Sequence, residues 1–311
     1  MMKLARGFCD LNISATDTDL RQTVLKALSV GYQTLALNRH VTDNSTAAAG
    51  GGGGKKKKKG DFSSVPPPPK LALTPDELRR HGITRPPVIL TRLTVTYANP
   101  DSPFLAKHKE VIRQYDLLAL TPTSDKALKQ TVTQSAVEVD IIALSLEERG
   151  TRFARKLLRM AKDRNMYFEL SYGPCLSEGR SRQQTIALAH SLHQSLRSAN
   201  IIVSSGAHLP SQVRQPYDVI NLGRFFGLTE AGSKAALAST AHNLVYCAAM
   251  RRTGVAKCAA QVTLLKVGAE EEEEEEEGRR VGGGKGVKRK RLESKFEGLE
   301  DARKYLKAGC A

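Results

Sequence analysis

Residues 201–207 read IIVSSGA, and after a short loop residues 215–237 read QPYDVINLGRFFGLTEAGSKAAL. An apolar run that ends in small polar residues marks a buried strand whose carboxyl end opens onto a surface. The amphipathic stretch that begins at Tyr217 reads as a helix closed by Gly227. Thr229 caps the next helix, because its hydroxyl can accept a free amide proton of the first turn.

The same unit, a short strand feeding an amphipathic helix, recurs along the chain. Phe8–Ile13, Thr34–Asn38, Val88–Thr96, Asp116–Leu120, Val139–Leu144, Met166–Ser171 and Ile201–Ser204 are predicted strands. Asp19–Val30 has helical spacing, with Leu20, Val24, Leu25 and Leu28 on one face, and Gly31 ends it. Further helices are predicted from Pro75, with Thr74 as cap, and over Leu105–Gln114, Ser124–Thr133, Arg152–Asn165 and Ser181–Ala199. Val213–Phe226 and Glu230–Arg251 close the series, and Gln261–Lys266 supplies a last strand or flanks the barrel.

Repeated strand–helix units with short apolar strands imply a parallel sheet, and this many units favour closure into a TIM-like α/β barrel over an open sheet. The first strand is not followed by a G-x-G-x-x-G phosphate loop, which argues against a dinucleotide-binding sheet. Residues 47–70 hold runs of glycine, lysine and proline, and the tail from 267 holds eight consecutive glutamates and a Lys/Arg cluster. Neither can bury enough apolar surface to offset its ordering entropy. The expected organisation is one barrel domain over 1–46 and 71–266, a disordered low-complexity insertion at 47–70 and a charged flexible tail at 267–311.

The net charge is +16 even though Glu270 to Glu277 contribute eight negative charges, so the basic excess is general. Such an excess favours polyanions. No apolar run approaches the roughly 18 residues of a bilayer span, so no membrane partner is expected. The amino-terminal residues lead into a strand pattern with no visible signal peptide. The five cysteines, Cys9, Cys175, Cys247, Cys258 and Cys310, form no C-x-x-C pair, which gives no zinc framework and fits a reducing compartment. Aromatics are sparse and tryptophan is absent, so folded RNA read through phosphate and shape is a better partner than a single strand stacked on rings.

In a parallel barrel the carboxyl ends of the strands converge on one mouth. The polar residues expected there are Asp10, Asn12, Asn38, His40, Arg92, Asp140, Glu169, Ser171, Ser204 and Ser205. Strand alternation places Asp10 and Asn12 on the same side. Arg92 interrupts an apolar run, so it must pair with a carboxylate such as Asp10 or Glu169, or contact a phosphate. Asp10, His40 and Glu169 could together hold one ion weakly, against the alternative of a hydrogen-bonded polar network at the mouth. Ser204 and Ser205 lack the surroundings of a nucleophile and read as a turn. Arg152, Arg155, Lys156 and Arg159 fall on one helical face as a stripe able to track phosphates, and Arg180, Arg182, Arg214, Arg251 and Arg252 flank other helix ends. Lys288, Arg289, Lys290 and Arg291 form a basic tetrad that reads as a nuclear import signal or an RNA-contacting arm.

Several strings share an order and spacing with one family: FCDLNI at 8–13, GYQTLALNRH at 31–40, ILTRLTV at 89–95, YDLLALTP at 115–122, VDII at 139–142, FELSYGP at 168–174, IIVSSGA at 201–207 and PYDVINLGRFFGL at 216–228. With these strings the chain resembles the ribonuclease P/MRP protein subunit of the thirty-kilodalton class. The resemblance implies a degenerate barrel of the polymerase-and-histidinol-phosphatase (PHP) type. Active members of that superfamily end the first strand in His-x-His and carry a multi-metal site; here Asp10 and Asn12 stand at those positions. The resemblance therefore implies a chain that is not itself catalytic and binds no metal or other cofactor. It would be part of the endoribonuclease that removes the 5′ leader of precursor tRNA, and of its rRNA-processing relative, with magnesium on the partner RNA. The implied partners are the ribonuclease P RNA, the MRP RNA, precursor tRNA through the complex, and a small RRM-like subunit among other proteins, in the nucleus and its nucleolus. The rival reading is a metal-dependent phosphoesterase on the same barrel.

Overall fold

The computed structural model describes residues 3–15, 19–43, 65–97, 99, 103–134, 137–144, 154–176 and 179–253. All of them fall within one compact unit, Met1–Ala260. The strands are β1 (Phe8–Ser14), β2 (Tyr32–Thr42), β3 (Val88–Tyr97), β4 (Leu117–Pro122), β5 (Ile141–Ala143), β6 (Tyr167–Ser171) and β7 (Ile201–Ser204). The helices between them are α1 (Leu20–Ser29), α2 (Pro75–Arg80), α3 (Phe104–Lys107), α4 (Lys109–Ile112), α5 (Asp125–Gln134), α6 (Arg155–Asp163), α7 (Gly173–Leu176) and α8 (Arg180–Leu196). After β7 come a 3-10 turn (Pro210–Gln212), α9 (Pro216–Phe225), α10 (Glu230–Leu237) and α11 (Ser239–Thr253).

The seven strands pair in sequence order and every ladder is parallel, which gives the expected TIM-like barrel, nearly closed. The seam between β7 and β1 holds an isolated bridge, Ile13 to Ala207, with Ser14 N donating to Ala207 O at 3.0 Å. Side chains do the remaining stitching. Asp10 Oδ1 accepts from Ser205 N at 3.0 Å, and Ser205 Oγ donates to Asn12 O at 3.3 Å.

Alternation sorts the strand residues into two cores. Leu35, Leu37, Leu93, Val95, Leu118, Leu120, Phe168, Leu170, Ile201 and Val203 face the surrounding helices. Cys9, Leu11, Ala36, Leu90, Leu117, Ala119, Ile141, Tyr167 and Ile202 fill the barrel towards the amino ends of the strands, where Ala241, Leu244, Val245 and Ala248 of α11 pack onto them. Those four positions follow helical i, i+3, i+4, i+7 spacing, so one stripe of α11 plugs the amino-terminal mouth.

Local chemistry explains the element ends. Thr74 and Glu77 form a reciprocal capping box on α2, and Thr229 Oγ1 accepts from Gly232 N at the start of α10, as read from sequence. Gly227 ends α9 at φ +80°, a conformation that favours glycine.

Four expectations need correction. The helix predicted over 105–114 is two short turns, α3 and α4. The helix predicted over 230–251 breaks at Ala238, and the break lets α11 turn beneath the barrel. Val65, assigned to the low-complexity insertion, is buried in the outer core, and Pro66 O accepts from the Tyr115 hydroxyl at 2.7 Å. Asp140 lies just before β5, at the amino end of the barrel, because β5 starts only at Ile141. The Gln261–Lys266 strand lies outside the described residues.

Candidate functional site

The barrel mouth is organised around Arg92, whose side chain has no solvent exposure. β3 turns Leu90, Arg92 and Thr94 inward, so Arg92 lies above the apolar plug. Its Nη1 and Nη2 donate to the two carboxylate oxygens of Glu169 at 2.5 and 2.6 Å. Nη1 also donates to Leu11 O at 2.7 Å, and Nε donates to Thr94 Oγ1 at 3.1 Å. From Thr94 the hydrogen bonds run around the mouth. Thr94 Oγ1 donates to Asn38 Oδ1 at 2.8 Å, Asn38 Nδ2 to Asn12 Oδ1 at 2.7 Å, and Asn12 Nδ2 to Ser171 Oγ at 3.4 Å. Ser171 Oγ lies 3.3 Å from Ser204 Oγ, which donates to Glu169 Oε1 at 2.6 Å. The circuit closes on the carboxylate where the guanidinium also ends. With Ser171 donating to Ser204, every bond points from the cation to the anion, so each polarises the next.

Five strands meet in this ring, and a bulge makes it possible. The β1–β2 register slips between Asp10 and Ile13, which breaks strict alternation and lets Asn12 meet Asn38. The simple alternation argument for Asp10 and Asn12 therefore fails. Asn12 belongs to the ring, whereas Asp10 belongs to the β7–β1 seam. Asp10 is buried, and its Oδ2 has no hydrogen-bond partner among the described residues. Burial pushes its carboxyl up to about 6, against the bonds from Ser205 and Asn12 that favour the charge. Next to it, burial drives the Cys9 thiol up to about 12, so it behaves as a small hydrophobe.

A divalent ion does not fit these residues. Glu169 is fully engaged by Arg92 and Ser204, a guanidinium fills the centre, and His40 is exposed beside Thr96, with Nε2 2.8 Å from Oγ1. Among the described residues no three His, Cys, Asp or Glu side chains gather as ligands. The phosphate-contact reading of Arg92 fails for the same reason: the guanidinium is sealed and spent on Glu169. Ser204 serves Glu169; Ser205 Oγ donates to Asn12 O and accepts from Ala207 N at 3.0 Å, so neither hydroxyl is poised to attack.

The basic candidates divide into two groups. Arg155, Lys156 and Arg159 of α6 are exposed, and α6 packs between α5 and α8. Lys126 and Lys129 of α5, which the sequence reading passed over, are exposed too. None of these five cations has an ion-pair partner among the described residues. Arg180 and Arg182 are exposed at the start of α8, with Arg182 Nε donating to Cys175 O at 3.0 Å. Arg214 is exposed and donates to Ser211 O at 2.7 Å.

Arg251 and Arg252 are different. The Arg251 side chain is 6% exposed and pairs with Asp140 at 2.8 Å, while Arg252 pairs with Asp116. Leu118 N and Thr91 N also donate to these two carboxylates. The two arginines fasten α11 under the barrel; Arg251 is shut against Asp140 and is corrected from an RNA candidate to a clamp, whereas Arg252 stays exposed. Arg152 and Lys288–Arg291 lie outside the described residues. Thr94 was missed, although its place two residues after Arg92 puts both on one face of β3.

A family described as RNase P subunit p30 matches residues 7–253. The chain belongs to this family. Among p30 relatives, the mouse ribonuclease P protein subunit p30 is 36% identical over 160 residues, which are 51% of this chain and 59% of that protein. The ribonuclease P/MRP protein subunit RPP1 of Saccharomyces cerevisiae is 27% identical over 120 residues, 38% of this chain and 40% of that one. The chain thus spans about three-fifths or less of these relatives, by the 59% and 40% just given. A chain in the cryo-EM structure of archaeal ribonuclease P with mature tRNA superposes with TM-score 0.55 at 13% identity, covering 82% of this chain and 99% of that one. At that identity the match speaks for the p30 barrel fold alone.

Proposed function

We propose that this chain is a non-catalytic protein subunit of ribonuclease P, and also of the MRP complex, that binds the catalytic RNA and a partner subunit to support removal of the precursor-tRNA 5′ leader. Membership of the p30 family over the whole described barrel carries the reading. The barrel mouth agrees with it, because its ring residues satisfy one another around a buried ion pair and, among the described residues, leave no ligand set for hydrolysis. The metal-dependent phosphoesterase reading finds no ligand set among the described residues.

RNA contact is assigned to the wall made by α5, α6 and the start of α8. Lys126, Lys129, Arg155, Lys156 and Arg159 are exposed there, and Arg180 and Arg182 are exposed at the start of α8, a helix that packs against α6. The five cations of α5 and α6 have no ion-pair partner among the described residues, so their charge stays available for phosphates, and each phosphate neutralised steepens the salt dependence of binding. Chemistry would then belong to the RNA and its magnesium ions, with no cofactor on this chain. The small RRM-like subunit as neighbour, precursor tRNA reached through the complex, and nuclear or nucleolar residence directed by Lys288–Arg291 complete the proposal.

The test is affinity purification of the full chain at moderate salt, followed by sequencing of the bound RNA. One dominant structured RNA is expected. A random population, or none, would overturn the reading.

A further inference from the structure

Five of the seven strands are entered past an exposed arginine. Arg6 stands two residues before β1, Arg85 three before β3, Arg113 four before β4, Arg164 three before β6 and Arg197 four before β7. β2 follows Gly31 instead, and β5 follows the exposed Glu138. In a parallel barrel every strand starts at the same end, so the five arginines stand around the amino-terminal rim, the end that α11 plugs. None of the five has an ion-pair partner among the described residues. Arg164 donates to Val132 O, which leaves its charge uncompensated. At the same end Lys3 and Arg252 share the one carboxylate of Asp116, which adds a further positive charge. The exposed acids Glu138 and Asp163 offset only part of this excess.

Helix ends do not account for the ring. Cations at helix carboxyl ends answer the macrodipole, and Arg113, Arg164 and Arg197 do follow α4, α6 and α8. Arg6 precedes the first helix, however, and Arg85 lies five residues beyond the end of α2. Arg197 also holds φ +52°, a conformation that glycine or asparagine adopts at less cost. All five are arginine, whose planar fork can bond a phosphate through two N–H groups at once; lysine would answer a dipole equally well.

We propose that the amino-terminal rim is a second RNA-binding face, which holds the phosphate backbones of an RNA duplex apart from the α5–α6 wall. The class of ligand rests on the RNA-binding reading above; the place does not. Seven strands about 4.8 Å apart and tilted by about 36° make a ring of backbone roughly 13 Å across, and the arginine side chains reach beyond it. Forks spread over a disc of that width meet both backbones of a duplex, whereas a single strand runs along a groove lined with stacking rings. The two faces lie at opposite ends of the helices. The wall's cations occupy the first turns of α5, α6 and α8, while Arg164 and Arg197 close α6 and α8 at the other end. At about 1.5 Å per residue, Arg180 and Arg197 are about 25 Å apart along α8.

The experiment counts duplexes. The full chain, freed of nucleic acid by nuclease and high salt, is titrated with an RNA duplex of about 16 base pairs and followed by sedimentation velocity. Wild type is expected to take up two. The rim variant Arg85→Gln/Arg113→Gln/Arg197→Gln and the wall variant Arg155→Ala/Lys156→Ala/Arg159→Ala should each take up one. Arg6→Gln/Arg85→Gln, which touches no helix end, should weaken uptake at the rim at least about tenfold and leave Tm unchanged. A role confined to helix dipoles would instead lower the Tm of the rim variant and leave two duplexes bound. A wild-type chain that takes up fewer than two duplexes, or a rim variant that still takes up two, overturns the proposal. Uptake that falls in the rim variant and not in the wall variant would remove α6 from the RNA interface and keep the rim.

Discussion

Replacing Arg92 with methionine removes one partner of a pair in which the side chains of Arg92 and Glu169 are 0% and 1% exposed. The methionine fills most of the space, so the main loss is electrostatic: Glu169 stays buried, keeps its bond from Ser204 and loses both short bonds from the guanidinium. Breaking a buried pair in this way costs about 3–5 kcal/mol. For a folded unit of this size that corresponds to a fall in Tm of about 10 °C, at roughly 2–4 °C per kcal/mol. The double variant Arg92→Met/Glu169→Leu leaves no stranded charge, although Ser204, Thr94 and the Leu11 carbonyl lose a partner each. It should recover at least about 2 kcal/mol of the summed single losses, since residues in one network do not add. Urea unfolding of the purified full chain, followed by circular dichroism, measures all three variants and wild type. If Arg92→Met loses no more than about 1 kcal/mol, or if the two single losses simply add, the ring does not organise the barrel mouth as described here.

Asp10 holds its proton up to about pH 6 in the folded chain and releases it near its ordinary value of 3.8 when unfolded, so its contribution is complete below the lower value and is lost as pH rises through the higher. Asp10→Asn should therefore match wild type at pH 4 and exceed it by up to about 3 kcal/mol at pH 7.5 in urea melts, while equal gains at both pH values would contradict the assignment. Changing Arg155, Lys156 and Arg159 to alanine together should leave Tm unchanged and flatten the slope of log affinity for RNA against log salt by about 0.7–0.9 per lost phosphate contact; an unaltered slope would take α6 out of the interface. Arg251→Met should behave in the opposite way, costing about 3–5 kcal/mol of stability by stranding Asp140 and leaving the salt slope of the folded protein as it was.

Periodicity made most of the barrel legible. Leu35, Leu37, Leu118 and Leu120 alternate because one side of each strand meets helices, and that pattern needs no partner to be seen. The same holds for Thr74, Gly227 and Thr229, whose roles depend on neighbours three or four residues away. What sequence could not separate were charges of the same kind with different depths. Arg155 and Arg251 look alike as letters near helix ends, yet one is exposed on the wall and the other is shut against Asp140. That difference depends on α11 crossing beneath the barrel, and so on the break at Ala238, where the string AALAS at 235–239 gave no signal. Arg92 shows the converse. A lone cation in an apolar strand had to be paired, and burial alone decided that. Its choice of Glu169 over Asp10 required the β1 bulge, which gives Asn12 to the ring and Asp10 to the seam. A barrel whose mouth is closed by its own arginine offers its outer helices for contact. The cationic wall of α5 and α6 is therefore the surface on which its role should be tested.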